Sequence, residues 1–480
     1  MSSLHPVVVP WSSARGHQGV AAERPRFALL STKILAYVAV PLLIMTSAST
    51  AVFAPPMLAL GAGLAFVWLV ARPPLWASVA LIPLTVPLGP LAQVPIAGGH
   101  FVVTFADCAM GVALVSAVTK GRTLAGPLLL PVSLWVLWTG VGTVFADQVG
   151  PAMSGFKVVL GAAVVILLTQ SAVKERPEAG RRLVLAVSVG SVIVSAMVLL
   201  AVADNPGSFA NSAGAKEQSD LSFGGSNYLA ALIVLGLSAT AGSFLVTRGG
   251  TRKLLLLGVP VQLLAVVATG SRGQTAALGV VWVAVVWISI RASRRAAVVT
   301  IGGLLVSGGV ALFTLGDWLI QIWQPALAGG ARNYSTAQAR FDIWATAIET
   351  FRANPVIGVG LRNFEWRGDF AYAHNWVLQL MAETGLVGLG VFVLIVVRAR
   401  AITPPASRPM LHMVLVVAAA SGSLEPTILT RDYDYLFWII VVAVAHGALT
   451  ASERLPESST ILARRGKLAT QRPMSVSVGS

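Results

Sequence analysis

The sequence predicts an all-α polytopic membrane protein with about 12–14 transmembrane helices and one large structured extracytoplasmic loop. Three observations carry that prediction. Of 480 residues, 56% are hydrophobic before glycine is counted and 11% are charged, against about 25% charged in soluble globular domains. Apolar runs approaching the roughly 20 helical residues that cross a bilayer recur along almost the whole chain. The charges between those runs fall unevenly on alternate sides. Such a composition excludes a soluble enzyme, a disordered chain and a fibrous one.

The spans are read in order. Residues 34–71 carry no charge and are interrupted only by Pro55-Pro56, so they form two spans. Next come 75–94, 101–118, 124–145 and 156–169, then 183–203, 227–246, 254–269 and 274–290. The set closes with 296–315, 376–397, 410–424 and 435–449. The lower end of the range reflects two of them: 101–118, which holds Asp107, and the short 156–169.

With the N-terminus in the cytoplasm and the spans alternating, 25 of the 34 Lys and Arg lie inside and nine outside. Of the 19 acidic residues, five lie inside, twelve outside and two, Asp107 and Glu383, within spans. The inside therefore carries +20 and the outside −3, as the positive-inside rule requires. The net +15 is a topology signal, and no nucleic-acid partner is implied.

Residues 1–33 form a cytoplasmic tail lacking the apolar core and cleavage site of a signal peptide, so the first span is expected to remain as an anchor. Residues 34–451 make up the bundle, and 452–480 form a polar, basic tail expected to be disordered. The single cysteine, Cys108, excludes an intramolecular disulfide and a Cys-based metal cluster.

The long connection is 316–375, on the outer face. Its aromatic content argues for structure, and loops of this length are usually functional when ordered. Phe341, Trp344, Ile348 and Phe351 fall at helical spacing. An amphipathic helix is thus expected over 337–353, stopped at Asn354-Pro355, its apolar face on the bundle or in the headgroup layer. Gly358-Val359-Gly360 then permits a tight turn.

Three positions could do chemistry. Arg272, in Gly270-Ser271-Arg272-Gly273, sits at the outer tip of a helical hairpin, where it either serves a function or snorkels to a headgroup. Arg340 opens the loop helix and could simply pair with Asp342. His374 directly precedes a span and could be an interfacial anchor. Behind it, Asn375, Gln379 and Glu383 recur at i, i+4 and i+8, a polar stripe that should face the bundle interior. An interhelix contact and a substrate channel both explain that stripe.

Taken in order, these pieces resemble the O-antigen ligase and polymerase family. The likeness runs over 227–449. It rests on Ser271-Arg272-Gly273, Arg340 before a Trp-containing helix, Gly358-Val359-Gly360 with Asn363-Phe364, and His374-Asn375 followed nine residues on by Gly385-Leu386-Val387-Gly388. The resemblance implies a glycosyltransferase of cell-envelope polysaccharide biosynthesis in the bacterial cytoplasmic membrane. Its donor would be a polyprenyl-diphosphate-linked glycan and its acceptor a glycan or lipid carrier. Arg272, Arg340 and His374 would be catalytic, Asn375, Gln379 and Glu425 substrate-binding, and both termini cytoplasmic with the site outside.

The residue types suit that chemistry. Arg pairs bidentately with phosphate oxygens and stays charged, and His374 can serve as general base on an acceptor hydroxyl or merely hydrogen-bond the diphosphate. No metal-ligand spacing is present, so metal-independent transfer without a cofactor is expected. A transporter or flippase for such a lipid is the alternative, but transporters place polar residues near the midplane on broken helices. A scaffold without catalysis is the third reading.

Overall fold

The computed structural model describes residues 72–91, 94–96, 101–203, 225–247, 250–292, 331–364, 372–423, 425 and 427–447, with a few isolated positions besides. The tails, the two spans expected before residue 72 and most of the span at 296–315 lie outside these. The described chain is helical apart from one short antiparallel pair, β1 (Val94–Ile96) and β2 (Phe101–Val103). The helices in order are α1 (Leu75–Thr85), α2 (Phe105–Thr119), α3 (Leu129–Val144), α4 (Val149–Glu175), α5 (Ala179–Ala203) and α6 (Ser226–Val246). Then come α7 (Gly250–Ala268), α8 (Arg272–Ala292), α9 (Ala331–Ala353), α10 (Trp376–Ile402), α11 (Arg408–Gly422) and α12 (Arg431–Ala445).

Six of them (α4, α5, α6, α7, α8 and α10) are long and apolar enough to cross a membrane, and α1, α2 and α3 are shorter apolar helices. The protein is an all-α polytopic membrane protein. At its centre lies α12, which packs on α4, α5, α6 and α11. Asp432 to Ala445 are all buried. From Leu436 on it is apolar all round, and such a stretch must be enclosed; enclosure lets the helix's 15 residues fall short of the bilayer's thickness.

The polar contacts between connecting segments sort into two ends. At one, Arg122 meets Glu175 at 2.8 Å, Lys174 reaches the Ala125 carbonyl, and Arg400 lies 3.2 Å from His412. At the other, Asn363 exchanges hydrogen bonds with the backbone of Gln148, Arg362 reaches Ser154 at 3.1 Å, and Asn227 reaches Glu425. Each pair joins segments that the charge-based alternation puts on the same side.

Several boundaries differ from expectation. The span read as 156–169 belongs to a 27-residue helix, α4. Pro151 falls in its first turn, where proline is tolerated, and Lys157 is accommodated by an ion pair. Its ammonium lies 3.0 Å from Asp107, which also accepts from the Tyr435 hydroxyl at 3.1 Å and caps α2 through the Thr104 amide at 2.9 Å. The intramembrane acid is thus neutralised in the bundle interior. The span read as 101–118 starts as β2 and becomes helical only at Phe105. Replacing Lys157 by methionine would leave the largely buried Asp107 carboxylate without its counter-charge, at a cost of about 3 kcal/mol. We expect a lower melting temperature in detergent, partly restored by Asp107→Asn. An unchanged melting temperature would show that the pair contributes nothing.

Two helices meet the loop. In α9, which begins earlier than expected, the bundle-facing stripe is Ile343, Ala347 and Thr350, while Phe341 and Ile348 are exposed. The other two members of the aromatic stripe, Trp344 and Phe351, are half-buried, and the small Ala347 lets α9 close on α10. Helix α10 is broken at Gly385, where φ is +66° and ψ −171°. The carbonyls of Ala382 and Glu383 there accept from the Val359 and Gly360 amides at 3.0 Å, and that of Thr384 from Trp138 Nε1 at 2.9 Å. The Leu386 amide donates to the Pro355 carbonyl at 2.8 Å. Irregular backbone is tolerated at membrane depth when protein satisfies its polar groups, and the glycine-rich loop does so here.

Candidate functional site

The α7–α8 hairpin turns on Gly270, whose φ of +66° suits glycine. Its amide donates to the Val267 carbonyl at 3.0 Å, and the Ser271 amide to Thr269 Oγ1 at 3.3 Å. Helix α8 therefore begins at a fixed place, with half-buried Arg272 as its first residue. Ser271 is buried on one side, and on the other buried Gln274 donates to the Ser421 carbonyl at 3.1 Å. That bond ties the start of α8 to the end of α11, four residues before Glu425.

The turn into α10 is built from three side chains. Asn375 Oδ1 accepts from the Val377 and Leu378 amides at 3.0 and 3.2 Å and caps the helix. Buried Gln379 accepts from the Ala373 amide at 2.7 Å and donates to Glu383, itself buried. The polar stripe thus faces inward and holds the turn. Between Ala373 and Asn375, His374 has a φ of +49°, rare for a residue with a β-carbon.

His374 Nδ1 lies 3.3 Å from Glu425 Oε2. Asn227, at the start of α6, donates Nδ2 to the other Glu425 oxygen at 2.6 Å. The histidine side chain is 31% exposed and the glutamate 11%, so the carboxylate backs the ring from the protein side. With Nδ1 donating to Glu425, Nε2 keeps its lone pair.

Arg340 lies one turn before Ile343, which packs with Ala347, Phe364, Ala373 and Ala382. That cluster includes the residue preceding His374, so α9 brings Arg340 to the same end of the bundle as Arg272 and His374. Asp342 pairs with Gln338 at 3.0 Å; among the described residues no ion pair joins it to Arg340. Also among the described residues, no group of three or more His, Cys, Asp or Glu side chains gathers as a metal site would.

Sequence reasoning passed over Asn227. The signal was an amide opening an otherwise apolar span, a position where an unpaired side chain would be costly. Residues 255–393 match the family described as O-antigen ligase. The stretch contains Arg272, Arg340, His374 and the break in α10, while Asn227 and Glu425 lie beyond its ends. No curated protein matches the chain.

Proposed function

We propose, from the match of residues 255–393 to the family described as O-antigen ligase, that the chain transfers or polymerises a glycan from a polyprenyl diphosphate donor. The site lies on the outer face of the bacterial cytoplasmic membrane, with both termini in the cytoplasm. The observation that carries this reading is a histidine backed by a buried carboxylate at 3.3 Å, at the bundle end where Arg272 opens α8.

The chemistry follows from these groups. The donor's anomeric carbon is bonded to a diphosphate oxygen, a good leaving group once its charge is held. Arg272 and Arg340 bind the diphosphate and stabilise the charge that grows on the departing oxygen. The acceptor hydroxyl gives its proton to His374 Nε2 as its oxygen bonds the anomeric carbon. The old carbon–oxygen bond breaks, and polyprenyl diphosphate leaves with the electron pair. Asn375 and Gln379 serve the substrate by holding the histidine turn.

In detergent micelles no membrane remains to be crossed, so the transferase and flippase readings separate. The purified chain given donor and acceptor should lengthen or transfer the glycan and release polyprenyl diphosphate. The turnover should be unchanged by EDTA, because arginines do the charge neutralisation. Binding without release would favour the flippase, and loss of turnover in EDTA with recovery in Mg²⁺ or Mn²⁺ would overturn metal independence.

A further inference from the structure

We propose that Glu425 and Asn227 are positioning residues that fix the tautomer and orientation of His374, so that Glu425 acts through the histidine and makes no contact with the sugar. The inference rests on the reading of His374 as general base and extends it to two residues outside the family-matched stretch.

Each Glu425 oxygen is engaged: Oε1 by the Asn227 amide at 2.6 Å, Oε2 by His374 Nδ1 at 3.3 Å. Asn227 holds the carboxylate from α6, and the carboxylate holds the ring from the segment after α11. A carboxylate at Nδ1 keeps the proton there, so Nε2 is the nitrogen left to accept the hydroxyl proton. When Nε2 takes that proton, the imidazolium forms beside an anion already in place, a preorganised arrangement needing no reorientation. The backbone points the same way. A φ of +49° persists only where its surroundings over-determine it, and here the Ala373 amide and the Asn375 cap fix the residues on either side of His374 while the Glu425 contact holds its ring.

The test uses the purified full chain and separates kcat from KM. Asn227→Ala should lower kcat about 10-fold and Glu425→Ala about 10²-fold, each leaving the donor and acceptor KM within about twofold. Should Asn227→Ala fail to accumulate, Asn227→Asp keeps the shape while opposing one carboxylate to another, and the same fall in kcat is expected. In a His374→Ala background, followed by long incubation, Glu425→Ala should slow the residual rate no further, because the two act as a unit. A raised KM with unchanged kcat would make Glu425 a sugar contact and overturn the inference. So would a full additional loss in the His374→Ala background, which marks a merely structural role. Full activity of His374→Ala alone would remove the base reading itself. An inactive His374→Ala beside a wild-type kcat in Glu425→Ala would remove only the positioning role.

Discussion

Arg272→Lys is expected to cut turnover about 10²-fold, nearly as far as Arg272→Ala, while the protein still inserts and melts like the wild type. Losing one preorganised donor to a developing oxyanion costs about 10²–10³ in rate. The lysine keeps the charge but not the planar fork that meets two phosphate oxygens at once. The position sharpens the difference. Arg272 is the first residue of α8, its backbone set by the left-handed turn at Gly270 and by the Gln274–Ser421 bond. A shorter, more flexible ammonium cannot make up the lost geometry by moving the helix. The measurement is initial rate of glycan transfer on purified variants, with membrane level and melting temperature as controls. Near-wild-type turnover for Arg272→Lys would mean the guanidinium serves the headgroup layer and not the diphosphate.

The largest structural effect should come from Gly385→Ala. A β-carbon there would lie 2.2 Å from the Val356 carbonyl oxygen, on a backbone already at φ +66°. The facing glycine is equally confined, since a β-carbon on Gly358 would stand 2.4 Å from the Glu383 carbonyl carbon. Neither obstacle is the flexible end of a side chain, so relief requires moving the loop off the helix. That would leave the Ala382 and Glu383 carbonyls unsatisfied at membrane depth. We expect each substitution to cost more than about 3 kcal/mol and to leave little monodisperse protein on size exclusion. Gly390→Ala, five residues along the same helix with open space around it, should behave like the wild type or gain slightly. Normal yield of Gly385→Ala would mean that α10 can continue unbroken.

The sequence made the membrane character and the tight turn at Gly358 legible because each is local: a run of apolar residues, a pair of glycines. It hid whatever depends on partners far along the chain. Lys157 lies near the start of the short span read as 156–169, and its counter-ion, Asp107, is fifty residues away. The hairpin of β1 and β2 takes the last residue of the span read as 75–94 and the first three of the span read as 101–118. On α9, the helical spacing left open whether the aromatic stripe meets the bundle or the headgroup layer; close packing falls to Ile343, Ala347 and Thr350, two of which carry no strong hydrophobic signal. Glu425 could be picked out as an acidic position, but its role depends on Asn227 and His374, each brought to it by a different helix.

The central place of α12 has a consequence for how the protein is made. Its neighbours α4, α5 and α6 are synthesised long before it, and about 250 residues separate the end of α4 from the start of α12. At about 5–20 residues per second, that interval lasts tens of seconds. Throughout it the earlier helices surround a slot not yet filled, and Gly161 leaves the gap into which the Tyr435 hydroxyl will fit. The bundle can close around α12 only once residue 445 has been made. A chain released before residue 431 would expose to the membrane's quality-control proteases the faces of α4, α5 and α6 that α12 covers.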